Sequence, residues 1–178
     1  MLVLLIIIVI TELTSTTLGE KGHNTFPITR IYTIAEFTSL LFFYKFFFTQ
    51  HFKNTFFYII LILFYILAII DAFIINSIYS SDTLASSTEG IIMIILSVSA
   101  FYLIIKKMLY SNIMNEPFFW MNSAYLIYFS GTLFLFLFLN YLLKNEINYY
   151  TQLYFINSLL NFVNYTLISI GFWKTRKA

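Results

Sequence analysis

From Tyr149 to Trp173 the chain reads YYTQLYFINSLLNFVNYTLISIGFW, without a single charged side chain. As a helix this run would be about 37 Å long, enough to cross a bilayer. Its polar groups do not scatter. Tyr150, Tyr154, Asn157, Ser158, Asn161, Asn164 and Tyr165 recur at helical spacing and share one face, while Leu153, Phe155, Leu159, Leu160, Phe162, Val163, Leu167 and Ile170 cover the rest. An asparagine amide facing lipid tails would lack a hydrogen-bond partner, so this face is expected to look into protein or into a wet cavity. The other helices then have to be arranged around it.

Composition points the same way and removes several function classes. Hydrophobic residues make up 60% of the chain and charged ones 10%, against about a quarter charged in soluble domains. A net charge of +2 without a basic patch argues against a nucleic-acid partner. With no cysteine there can be no disulfide, thiolate metal site, iron–sulfur cluster or thiol nucleophile. No cofactor is indicated.

Polar, charged or Gly/Pro-bearing breaks separate six apolar stretches, with spans expected at about 2–18, 31–48, 55–79, 90–105, 117–143 and 149–173. Residues 1–178 are therefore read as a single transmembrane helical domain. Its class is an all-α polytopic integral membrane bundle of about six transmembrane helices. The opening LVLLIIIVI lacks the basic lead and small-residue cleavage site of a signal peptide. Because the chain begins inside an apolar run, a seventh helix missing upstream is an open alternative. No soluble domain, internal repeat or pair of interrupted helices typical of inverted-repeat transporters is visible.

With six spans, Lys45, Lys53, Lys106, Lys107, Lys174, Arg176 and Lys177 fall on one side of the membrane, and Lys21, Arg30 and Lys144 on the other. The richer side should be cytoplasmic, which places the C-terminus inside, and the expected location is a bacterial inner (cytoplasmic) membrane. All the acids except Glu116 then lie in the outer half or outer loops. Glu12, Glu36 and Asp71 sit within spans, where carboxylates are costly and usually face a bundle interior, which suggests an outward-facing polar cavity. Glu12 and Asp71 are close enough to helix ends to reach the interface, or, for Asp71, to pair locally. Glu36 lies deeper, on a polar edge with Tyr32 and Ser39.

The candidate cavity or ligand-binding residues are accordingly Glu36 and Tyr32 on the second span, Asn122 and Tyr125 on the fifth, and Asn157, Asn161 and Asn164 on the sixth. A structural zipper of interhelical amide bonds is the alternative for the asparagines, and both readings stay open. On the fifth span Ser130–Gly131–Thr132 is expected to permit close helix approach. No metal or catalytic residue stands out. His23 and His51 fall on opposite expected sides, H-E-x-x-H, G-x-S-x-G and Walker motifs are absent, and no hydroxyl has a neighbouring base.

YTIAEF (Tyr32 to Phe37), FFWMNSAYLIYFSG (Phe118 to Gly131) and an Asn-bearing helix ending at Trp173–Lys174 together make this chain resemble a group of uncharacterised small multi-pass membrane proteins from Bacteroidota. The resemblance covers most of the chain. It implies a multi-pass fold and no particular activity, and since similar proteins have one more span, it agrees with a missing first helix. The expected function is a sensory or regulatory module in the lipid bilayer, with an outward-facing polar cavity. The sequence offers no soluble domain to carry a signal, so a separate membrane partner such as a sensor kinase would receive it. A small transporter or channel and an integral-membrane lipid-modifying enzyme are the alternatives.

Overall fold

Hydroxyl groups in apolar helices must find partners without water, and here many find them one turn back along their own helix. Thr38 donates to the Ile34 carbonyl at 2.6 Å, Ser39 to Ala35 at 2.8 Å, Ser130 to Leu126 at 2.6 Å and Ser169 to Tyr165 at 2.7 Å. The computed structural model describes residues 9–11, 13–15, 17, 18, 20–49, 51–75, 78, 79, 82–107, 112–145 and 150–175, with the side chains of 107, 136–145 and 150–154 left out. Among the described residues there are helices and turns and no strand. Helical residues between 9 and 20 precede α1 (Phe26–Phe47) and α2 (Asn54–Ile70), which runs on into a π turn (Asp71–Ile75). Then come α3 (Thr83–Lys107), a 3-10 turn (Ile113–Asn115), α4 (Pro117–Asn145) and α5 (Tyr150–Thr175).

Two helices begin earlier than their apolar runs suggest. α1 starts at Phe26 rather than 31 because Pro27 fits a first turn and the Asn24 Oδ1 accepts the Phe26 N–H at 2.9 Å. α3 starts at Thr83 rather than 90, so part of the Ser/Thr-rich stretch read as a loop is helical. Its Ser87 and Thr88 hydroxyls fold back onto the Thr83 and Leu84 carbonyls. Among the described residues, three segments, Asn54–Ile75, Thr83–Lys106 and Phe155–Thr175, are long and apolar enough to cross a membrane. They are compatible with an integral membrane protein. Much of the expected first span, including Glu12, lies outside the described residues, as do Asn76, Tyr149 and the side chains of Tyr150 and Tyr154.

The chain divides into two compact units, residues 1–89 and 90–178, with the boundary inside α3. In the first, α1 and α2 form an antiparallel hairpin. Going up α1, Arg30 meets Asp71, Phe37 stacks on Phe64 with centroids 3.7 Å apart, Thr38 bonds Tyr65, Lys45 bonds Tyr58 and Phe48 packs on Phe57, so partners descend along α2. Phe37, Leu40, Tyr44 and Phe48 follow the 3–4 spacing of a core stripe and are fully buried. Across the other face of α2, Ile59, Ile62, Leu63, Ile66 and Ile69 are exposed. Such a continuous apolar stripe suits lipid better than water.

The second unit alternates in the same way. Ser97 and Phe101 of α3 meet Asn122 and Phe119 of α4, again in descending order. Glycines set the α4–α5 spacing. A Cβ added at Gly131 would lie 2.6 Å from Leu160 Cδ2, and one at Gly171 would lie 2.8 Å from Met121 Cγ and 3.2 Å from the Pro117 carbonyl oxygen. The close approach expected around Ser130–Gly131–Thr132 therefore occurs at the glycine, as small residues allow in membrane helix pairs.

Candidate functional site: a buried charge cluster in the first unit

The core stripe of α1 turns polar towards its N-terminal end. Arg30, Thr33 and Glu36 are buried on the same helix as Phe37, Leu40 and Tyr44. Arg30 Nη1 donates to Asp71 Oδ2 at 2.9 Å, and Asp71, the first residue of the π turn, is fully buried. Thr33 Oγ1 donates to Asp82 Oδ2 at 2.6 Å, just before α3 begins. Glu36 is hydrogen-bonded by the Tyr32 side chain one turn back. Glu89, 3% exposed on α3, has Glu36 and Asp82 as charged neighbours, and its Oε1 has no hydrogen-bond partner. Asn24 closes the same end by donating Nδ2–H to the Tyr79 carbonyl at 2.7 Å.

Charge is unevenly matched here. Arg30 is engaged by Asp71, so Glu36, Asp82 and Glu89 gather without an ion pair of their own among the described residues. Carboxylates taken out of water need compensation by opposite charge or by hydrogen-bond donors. A hydrogen-bond donor or a positive charge placed beside Glu89 Oε1 would satisfy that oxygen. Among the described residues, no set of three or more His, Asp or Glu is spaced to hold a metal ion.

The residues singled out from sequence divide between the two units. Glu36 and Tyr32 belong to this cluster, whereas Ser39 on the same expected edge is half-buried and spends its hydroxyl on Ala35. Asn122 and Tyr125 are buried in the second unit. The Asn122 amide is engaged by α3: Nδ2 donates to the Ser97 carbonyl at 3.1 Å, and Oδ1 accepts from the Ser97 hydroxyl at 3.0 Å. On α5 the polar stripe is graded. Asn157 and Asn161 are half-buried, with the Asn161 amide donating to the Asn157 carbonyl of its own helix at 3.1 Å, and Ser158 and Tyr165 are exposed. Asn164 is buried, with its Oδ1 lacking a hydrogen-bond partner.

Arg30, Asp82 and Glu89 count among the outer-side charges in the sequence, but they and Thr33 are not among the candidate site residues. The signal that could have found Arg30 and Thr33 is the 3–4 spacing that carries the Leu40–Phe37 stripe back through Thr33 to Arg30. Asp71 forms its ion pair across the hairpin, with Arg30. Comparison with protein-family models, curated proteins and solved structures finds no match, so the resemblance to small Bacteroidota membrane proteins rests on the quoted motifs alone.

Proposed function

We propose that this chain is a multi-pass protein of about six transmembrane helices and acts as a sensory or regulatory module of a bacterial inner membrane. The observation that carries this reading is the partnerless Glu89 carboxylate oxygen, buried beside Glu36 and Asp82. The ligand is a small organic cation or amine that reaches the cluster from the outer side. It hydrogen-bonds to the carboxyl groups of Glu36, Asp82 and Glu89, and the rearranged bundle is read by a separate membrane partner such as a sensor kinase. Asn157, Asn161 and Asn164 remain candidates for a polar surface on α5, in the second unit, that meets a ligand or that partner.

The test is a thermal-shift series in detergent with choline, ethanolamine and spermidine. At least one should raise the melting temperature of the parent protein, and Glu89→Gln and Glu36→Gln should blunt the response. No shift with any amine, or an unchanged shift in both variants, sinks the reading. A second reading, a small cation transporter, is favoured by the same buried acidic cluster. Uptake of the stabilising amine into proteoliposomes would select it.

Topology has its own check, made simple by the absence of cysteine. Single cysteines at Ser80 and Asn145 should react with a membrane-impermeant thiol reagent in intact cells, and one at Thr175 should not. Labelling of Thr175→Cys from outside would reverse the proposed orientation, in which the C-terminus is cytoplasmic.

A further inference from the structure

Between Glu36 and Asp71 the chain has no acidic residue, yet it carries Lys45, His51 and Lys53. Because α1 and α2 are antiparallel, these three lie at the connecting end of the hairpin, away from the carboxylate cluster. An open cleft of about 580 Å³ is found there, lined by Thr49, His51, Phe52, Lys53, Asn54 and Thr55. One turn earlier on α1, Lys45 is held in place: its Nζ donates to the Tyr58 hydroxyl at 2.9 Å and lies 4.2 Å from the centre of that ring. The cleft thus has basic groups together with the Thr49 and Thr55 hydroxyls and the Asn54 amide, all able to donate to phosphate oxygens.

Aromatic rings stand out beside this basic rim. Phe46 is 84% exposed, and Phe52 and Phe56, stacked on each other at 5.3 Å between centroids, are exposed as well. A soluble anion would use the polar lining and leave these rings in water. An amphiphile with an anionic head and hydrocarbon tails would use both. We propose that the α1–α2 connection is a binding site for an anionic phospholipid, whose phosphate sits in the cleft with His51 and Lys53, with Lys45 about one turn away on α1, while its acyl chains cover Phe46, Phe52 and Phe56. The site rests on the membrane reading given above and adds a lipid partner to it. Charge complementarity selects this occupant, since nothing acidic interrupts the rim.

The full chain is reconstituted in lipid discs containing equal phosphatidylglycerol and phosphatidylcholine, and retained lipid is counted by native mass spectrometry. The parent protein should retain phosphatidylglycerol in preference. Each lysine beside an anionic headgroup contributes about five-fold, so Lys45→Gln/Lys53→Gln should bring retention down to the level of phosphatidylcholine, while Lys106→Gln/Lys174→Gln should keep the preference. Lys53→Gln alone, at an exposed side chain, should give the smaller loss even if the double variant proves unstable. Equal retention by parent, Lys53→Gln and double variant, or the same loss from the control lysines, overturns the site. Displacement of the lipid by excess glycerol 3-phosphate overturns it in favour of a soluble phosphate ligand. A chain that fails to enter the discs at all overturns the membrane reading itself.

Discussion

Arg30→Met should cost about 3–5 kcal/mol of stability in detergent, because it leaves a fully buried Asp71 carboxylate without its charge partner. The double variant Arg30→Met/Asp71→Leu should recover most of that loss. Two apolar side chains of similar volume remove the desolvated pair together, and replacing a buried ion pair in this way is often neutral or better. Denaturant titration of the four proteins of the cycle, followed by far-UV circular dichroism, gives the coupling directly. A single-variant loss below about 1 kcal/mol would match an exposed ion pair instead, and the picture of a dry charge cluster at this end of the hairpin would fall with it.

Asn122→Leu should be the next most damaging change, at about 1–3 kcal/mol, since it abandons polar groups of Ser97 in a fully buried position. Ser97→Ala should cost less, and the double variant less than the sum of the two, because both remove the same bonds. The measurement also decides what this asparagine is for. If Asn122 locks α3 to α4, its replacement changes melting temperature and leaves any amine response of the protein intact at temperatures where it is folded. If it contacts ligand, the response falls with little change in melting.

The helices were legible because long uncharged runs closed by Lys, Gly, Pro and Asn announce their own ends, the pattern that a chain compatible with a bilayer is expected to show. Where boundaries differ, local hydrogen bonds outweighed composition. Asn24 and Pro27 start α1 inside an apparent loop, and back-bonded hydroxyls make helix of a Ser/Thr-rich stretch. The face of α4 carrying Asn122, Tyr125, Tyr128 and Thr132 could be read from helical periodicity; Asn122, Tyr125 and Thr132 are buried on it and Tyr128 is half-buried. The cluster could be read only in part. Glu36 stood out as a carboxylate deep in an aromatic helix. Its companions are set by how α1, the π turn and the start of α3 are brought together, and a contact between Arg30 and Asp71 or between Thr33 and Asp82 leaves no periodic trace in one chain. The α5 stripe shows the converse limit. A wheel places Asn157, Asn161 and Asn164 together, but not how far each is covered, and Asn164 alone of the three is buried.

The π turn at Asp71–Ile75 closes its hydrogen bonds over five residues where an α-turn closes them over four. It therefore stores one residue of slack inside an otherwise regular hairpin arm. Tightening that turn to α geometry would release a single residue, about 1.5 Å of helical rise, and rotate whatever follows by about 100°, without asking α1 to move. The first residue of the coil is the one that Arg30 grips. Arg30 therefore anchors the residue at which such a unit change of length would begin.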